Sequence, residues 1–161
     1  MTLTTISGLP AHVLLVHAMV VLAPLTALLE ILCALWPAAR RRLVWLVVAF
    51  AGGTMVLTPI TTEAGEWLYG QERHHGEILN THADRGGSMI YFSIAMFVVA
   101  LVLALAHRRE SRSTDPRVMT NVAVAVLAIA VGAAVIVQVV RIGDSGARSV
   151  WANELTKSDK P

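Results

Sequence analysis

The sequence is poor in charge and has almost no cysteine. Charged residues make up 15% of its 161 residues, against about 25% in a typical soluble domain, and 55% of the residues are hydrophobic. The single cysteine, Cys33, excludes a disulfide within the chain and a Cys-x-x-Cys-His haem attachment. The sequence also has no His-Glu-x-x-His, no phosphate-binding glycine loop and no nucleophile with a recognisable base. These absences argue against an enzyme with its own covalent chemistry and leave at most a redox component.

Four long apolar runs account for the high hydrophobic content. A run of about 20 apolar residues is long enough to cross a bilayer as one helix. The sequence predicts such helices over about residues 11–36, 43–62, 86–107 and 118–140. It also predicts an outer loop at 63–85 and an outer tail at 141–161. We therefore expect an all-α fold, in which one integral membrane domain over residues 1–161 forms a four-helix bundle of two antiparallel transmembrane hairpins.

The arginines predict how the two hairpins cross the membrane. Arg40–Arg42 follow the first predicted helix, and a second arginine-rich stretch at 108–117 follows the third, whereas residues 1–10 contain no lysine or arginine. The positive-inside rule places both connections in the cytoplasm. Both termini and the loop at 63–85 are then expected outside. This explanation of the arginine clusters is complete, so they do not indicate a nucleic-acid partner.

Several histidines lie at the predicted outward end of the bundle. His12 and His17 lie at the start of the first helix, and His82 lies at the start of the third. Ionisable residues at membrane depth are costly, so they indicate a functional site. Imidazoles from two helices of a bundle are the usual axial ligands of a b-type haem, which needs no covalent attachment. We predict one haem at most, because the opposite side offers only His107.

Other polar residues complete two versions of this site. In a haem site, Arg141 would pair with a propionate, as arginine pairs with other carboxylates. In a transition-metal site, Glu63 or Asp84 would join the three histidines in the coordination shell. Glu30, toward the other end of the first helix, would either relay protons or reach the interface near Arg40–Arg42. The second is the simpler interpretation.

Three functions are compatible with these features. The first is a membrane protein that binds one haem b or a transition metal at the outward histidines, for electron transfer. The second is an accessory or scaffolding subunit without chemistry, which would join a membrane complex or a homo-oligomer through the small-residue face of helix 118–140. The third is a small transporter or channel subunit. The lipid bilayer is the common partner of all three.

Three segments carry a resemblance to a known bacterial family. They are Leu-Pro-Ala-His-Val-Leu-Leu-Val-His at 9–17, Thr-His-Ala at 81–83 and Arg-Ile-Gly-Asp-Ser-Gly-Ala-Arg-Ser-Val-Trp at 141–151. Over about residues 8–152, the chain resembles the predicted four-helix membrane proteins grouped as domain of unknown function 2231. This resemblance implies a multi-pass protein of the bacterial cytoplasmic membrane. It implies no reaction.

Overall fold

The computed structural model describes residues 5–6, 9–72, 76–110 and 118–158, with side chains for 10–72, 76–110 and 118–151. Two short strands, β1 (Thr5–Ile6) and β2 (Leu9–Pro10), pair antiparallel at the start of the chain. Four helices follow, α1 (Ala11–Leu35), α2 (Pro37–Tyr69), α3 (Glu77–Glu110) and α4 (Val118–Ser158). Each is long and apolar enough to cross a bilayer, which confirms the predicted all-α membrane bundle.

The helices pack around a square in chain order. α1 contacts α2 and α4, α3 contacts the same two helices, and α1 and α3 face each other across a diagonal. One core cluster includes Cys33 and Leu103, and a second includes Met19 and Met96. α1 and α3 begin at the same end of the bundle, which we call the histidine end. They finish at the opposite end, which we call the arginine end.

The second helix begins earlier than the sequence predicted. α2 starts at Pro37, so Trp36 alone connects it to α1, and Arg40–Arg42 lie within the helix instead of in a loop. Proline fits the first position of a helix because its missing N–H would have no partner there. The arginines therefore extend from the first turns of α2, and one of them, Arg40, is buried in the bundle.

The predicted outer loop at 63–85 is largely helical. α2 continues through Pro59 to Tyr69, and α3 already begins at Glu77. Residues 73–75, which include two histidines, lie outside the described part of the chain. The 33 residues of α2 extend about 50 Å, against an apolar bilayer core of about 30 Å. Hydropathy detects only the apolar part of such a helix, so the helices predicted from the sequence are shorter than those in the structure.

The predicted tail at 141–161 is also helical in its described part. α4 continues without a break to Ser158, and its apolar span extends to Trp151. The segment 141–151, which carries part of the family resemblance, is therefore a continuation of the last span. This arrangement brings Ser145 and Gly146 against α3 at the histidine end.

α1 and α4 pack tightly against each other at Gly132. A Cβ atom on this residue would lie 2.9 Å from Cδ1 and 3.2 Å from Cγ1 of Ile31, and 3.4 Å from the Ala27 carbonyl oxygen. Ile31 would have to change rotamer, or the two helices would have to separate. The glycine therefore sets the distance between α1 and α4 at this level.

We expect Gly132→Ala to be about 1–3 kcal/mol less stable than Gly143→Ala, because overpacking a tight core has roughly this effect. Gly143 is the matched control, since it lies on the same helix and an added Cβ would meet nothing within 4 Å. Comparing the two alanine variants removes the gain in helix propensity that both share. The measurement is thermal unfolding in detergent. Equal stability of the two variants would show that the Ile31 side chain can move away from the added methyl group without loss of stability.

Candidate functional site

His12, the second residue of α1, contacts the backbone of α2. Its Nδ1 lies 2.9 Å from the carbonyl oxygen of Thr61. A carbonyl oxygen can only accept a hydrogen bond, so Nδ1 carries the proton and donates it. In the neutral imidazole, Nε2 is then unprotonated and keeps its lone pair for a ligand.

His82 makes the same contact in the second hairpin. Its Nδ1, on α3, lies 3.0 Å from the carbonyl oxygen of Ile142 on α4, and the hydroxyl oxygen of Ser145 lies 3.4 Å away. The acceptor is again a carbonyl, which fixes the proton on Nδ1. Nε2 of His82 is therefore also the ring nitrogen that is left with a free lone pair.

The two rings meet across the diagonal of the bundle. The ring centres of His12 and His82 are 6.3 Å apart, and the ring planes are nearly perpendicular at 83°. Each ring is half-buried and is held by the helix that follows its own in sequence. Two unprotonated Nε2 atoms cannot hydrogen-bond to each other, so a ligand between them has to be a cation or a hydrogen-bond donor.

A glycine on the neighbouring helix makes room for each ring. A Cβ on Gly65 of α2 would lie 2.8 Å from both Nδ1 and Cε1 of His12. A Cβ on Gly146 of α4 would lie 2.9 Å from Cε1 and 3.1 Å from Nδ1 of His82. The rings therefore occupy the space that other residues would fill with side chains.

The carbonyl and the glycine have the same spacing in both hairpins. Thr61 lies four residues before Gly65, and Ile142 lies four residues before Gly146. Each imidazole thus covers one helical turn, with the accepting carbonyl at its beginning and the glycine at its end. The same small unit occurs twice, once in each hairpin, and the two units face each other.

Both histidines line a cavity of about 1490 Å³ at the histidine end. Apolar side chains, including Met19, Met89 and Val139, form part of its wall, and Thr58 and Asp84 add polar atoms. Ligand cavities in proteins measure roughly 300–1,000 Å³, so there is room here for a large cofactor. The mixed wall suits a group that has both an apolar body and polar edges.

His17 does not join the pair. Its side chain is exposed, and its Nδ1 contacts the carbonyl oxygen of Val13 on its own helix. Five residues separate it from His12, which corresponds to about 140° around a helix. His17 therefore lies on a different face of α1 and does not line the cavity.

The other predicted site residues lie around the site without forming a metal cluster. Glu63, Asp84 and Arg141 are all exposed, and only Asp84 lines the cavity. The carbonyl oxygen of Arg141 accepts a hydrogen bond of 3.0 Å from Nη1 of Arg85, which ties α4 to α3. Over the part of the chain that the structure describes, no three His, Cys, Asp or Glu side chains are grouped to hold a metal ion.

The two glycines and the two accepting carbonyls are not part of the site predicted from the sequence. Gly146 lies inside the segment 141–151 that supports the family resemblance. Glycine is unfavourable within a helix, so a glycine in a helical segment is a candidate for a close contact, which Gly146 makes and Gly143 does not. The sequence could not indicate these contacts, because residues 63–85 were predicted as a loop and residues 141–161 as a separate tail.

Comparison with known proteins gives the family of the chain. No curated protein matches it, and no solved structure does. The model of the DUF2231 family, described as a predicted membrane protein, matches residues 8–159. The match covers nearly the whole chain, including both histidines of the pair, and the chain therefore belongs to the DUF2231 family of predicted membrane proteins.

Proposed function

We propose that this protein binds one haem b between His12 and His82 and carries electrons in the membrane. The main support is that both rings donate Nδ1–H to a backbone carbonyl and keep Nε2 free. A hydrogen bond from the remote ring nitrogen is the usual support of a metal-binding imidazole. It fixes the tautomer and the ring orientation and increases the basicity of the ligand nitrogen.

The separation of the rings suits one metal ion with a ligand on each side. With metal–nitrogen bonds of about 2.0–2.1 Å, the ring centres of two opposite imidazoles lie roughly 6 Å apart. The observed separation of the ring centres of His12 and His82 is 6.3 Å, which would allow both residues to hold the same group.

The number of ligands favours haem over a bare metal ion. A structural zinc site takes four protein ligands, and a catalytic one takes three. His12 and His82 supply two, and no third His, Cys, Asp or Glu joins them among the described side chains. A haem brings four ring nitrogens of its own, so that two histidines complete its coordination. A transition metal without a porphyrin is the alternative occupant of the same pair.

Two axial histidines define what the site would do. A haem held by His12 and His82 would supply one-electron oxidation and reduction. The positive-inside rule places the histidine end on the outer face and both termini outside. Our proposal is therefore a multi-pass protein of the bacterial cytoplasmic membrane that exchanges electrons at its outer side.

The test is the dithionite-reduced minus air-oxidised absorbance spectrum of the protein, produced with added haem precursor and purified in mild detergent. We expect a Soret shift and sharp α and β bands at about one haem per chain. Elemental analysis of the same sample separates haem iron from a bare metal ion. A featureless spectrum without stoichiometric metal would contradict the proposal and would favour the accessory-subunit function.

A further inference from the structure

Glu30 is the most unusual buried group outside the histidine pair. It lies on α1 toward the arginine end, and it is completely buried. Neither oxygen of its carboxyl group has a hydrogen-bond partner in the described part of the chain. The hydroxyl of Thr26, one turn away and also buried, donates instead to the Leu22 carbonyl oxygen. The side chain therefore does not reach the interface, which was the simpler interpretation of the sequence.

This burial determines the form in which Glu30 is stable. A carboxylate without a partner is strongly disfavoured away from water, and such groups become neutral by binding a proton. The apolar core cluster around Cys33 begins one turn beyond Glu30. In the arrangement that the structure shows, burial thus favours the neutral, protonated form of Glu30.

Arg40 supplies the opposite charge at the same end of the bundle. It is 1% exposed, and its Nη2 lies 2.9 Å from Oε1 of Glu110, which is 35% exposed. Its Nε and Nη1 atoms are buried and have no hydrogen-bond partner among the residues described. Glu30 lies five residues before the end of α1 and Arg40 lies three residues after the start of α2, so the two residues lie within about one helical turn of each other in depth.

Among the described residues at this end of the bundle, Arg40 is the buried arginine, whereas Arg41, Arg42, Arg108 and Arg109 are exposed. α3 contributes His107, whose Nδ1 is buried without a partner in the described structure, as well as Glu110. The part of α4 between Val118 and Gly132 contains no titratable side chain. Arg40 is therefore the buried cation, among the described residues, that is placed to respond to the charge of Glu30, and the partly exposed Glu110 connects it to water.

We propose that Glu30 is a proton-binding site within the membrane, which exchanges its proton with water at the arginine end beside the Arg40–Glu110 ion pair. On release, the O–H bond of the acid breaks, the proton passes to a water molecule, and the electron pair stays on the carboxylate. The N–H groups of Arg40 that lack partners then donate to this carboxylate. Arg40 is paired with Glu110 when Glu30 is protonated and with Glu30 when it is not.

Infrared spectroscopy of the protein in lipid nanodiscs tests the protonation of Glu30. We expect the C=O stretching band of a protonated carboxyl group at neutral pH, a shift of this band in D2O, and its loss at alkaline pH. Glu30→Gln should lack the band, whereas Glu63→Gln, which changes an exposed carboxyl group, should keep it. The same band in Glu30→Gln, or a band that neither exchanges in D2O nor disappears at alkaline pH, would overturn the proposal.

A second variant tests the role of Arg40 and leaves Glu30 in place. In Glu110→Gln, Arg40 loses its carboxylate partner and becomes available to Glu30. We expect the carboxyl band to disappear at a pH about one unit lower, which is a tenfold change in proton affinity. An unchanged pH would show that Arg40 does not stabilise the Glu30 carboxylate. The measurement needs no haem, so its result is independent of the proposed electron transfer.

Discussion

Replacing His82 by alanine is expected to abolish haem binding, and replacing His12 by alanine should have the same effect. Each variant leaves one axial imidazole in a site that is otherwise held together by the bundle. The two rings approach from opposite sides of the diagonal, 6.3 Å apart, so neither can take over the position of the other. The measurement is the Soret absorbance and the haem content per chain of purified protein. We expect both to fall to background.

The chain offers a matched control in His17. It lies on the same helix as His12, but its side chain is exposed and does not line the cavity. His17→Ala should therefore keep the spectrum and the haem content of the unmodified protein. Full haem content in the His82 variant, or loss of haem in the His17 variant, would contradict the assignment of His12 and His82 as the ligands.

A conservative replacement separates ligation from folding. Methionine is an alternative axial ligand of haem and raises the reduction potential when it replaces histidine. We expect His82→Met to bind haem again, with a more positive potential than the unmodified protein. A structural role of the His82 hydrogen bond alone would not give this result, because methionine cannot donate to the carbonyl oxygen of Ile142.

The overall fold and the end of the bundle that carries the site follow directly from the sequence. Each apolar run is long enough to span a bilayer, and runs joined by short connections have to form antiparallel hairpins. That topology alone brings the beginnings of the first and third helices to the same end. It therefore places His12 and His82 together before any contact is known.

The choice among the histidines needs information that the sequence does not contain. His12 and His17 both precede an apolar run, and both were predicted as ligands. They lie about 140° apart around α1, so only one of them can face α3, and the rotation of α1 depends on how all four helices pack. In the structure this rotation buries Met19 and Ala23 and exposes His17.

The polar groups at the arginine end show the same limit of sequence reasoning. Glu30 and Arg40 were expected to lie near the interface, because long charged side chains generally extend toward water. α2 begins at Pro37, immediately after Trp36, and this early start carries Arg40 into the bundle. Where a helix begins thus decides whether its first charged residue is buried or exposed, and hydropathy does not determine that position.

The two glycines beside the histidines leave the space that the imidazole rings occupy. Gly146→Ala should displace His82, since the added Cβ would lie 2.9 Å from Cε1 and 3.1 Å from Nδ1 of the ring. The ring cannot move away without losing its hydrogen bond to the Ile142 carbonyl oxygen. We expect haem affinity to fall by about 10–100-fold, as when the supporting contacts of a metal ligand are removed. Overpacking should also lower stability by about 1–3 kcal/mol.

Gly65→Ala should act in the same way on His12, where the added Cβ would lie 2.8 Å from two ring atoms. Each variant has a matched glycine on its own helix, Gly53 for α2 and Gly143 for α4, where an added Cβ would meet nothing within 4 Å. The measurements are haem titration of the apoprotein and thermal unfolding of all four alanine variants. The two control variants should keep haem affinity and should be neutral or slightly stabilised.

The comparison of affinity with stability distinguishes a haem site from a structural network of hydrogen bonds. If the histidines only tie the helix ends together, alanine at either glycine will lower stability and the protein will bind no haem in any variant. If they hold a haem, affinity will fall in both glycine variants, because each hairpin positions one axial ligand by the same contact. Unchanged haem affinity in Gly146→Ala would show that the contact with Gly146 does not determine the position of the His82 ring.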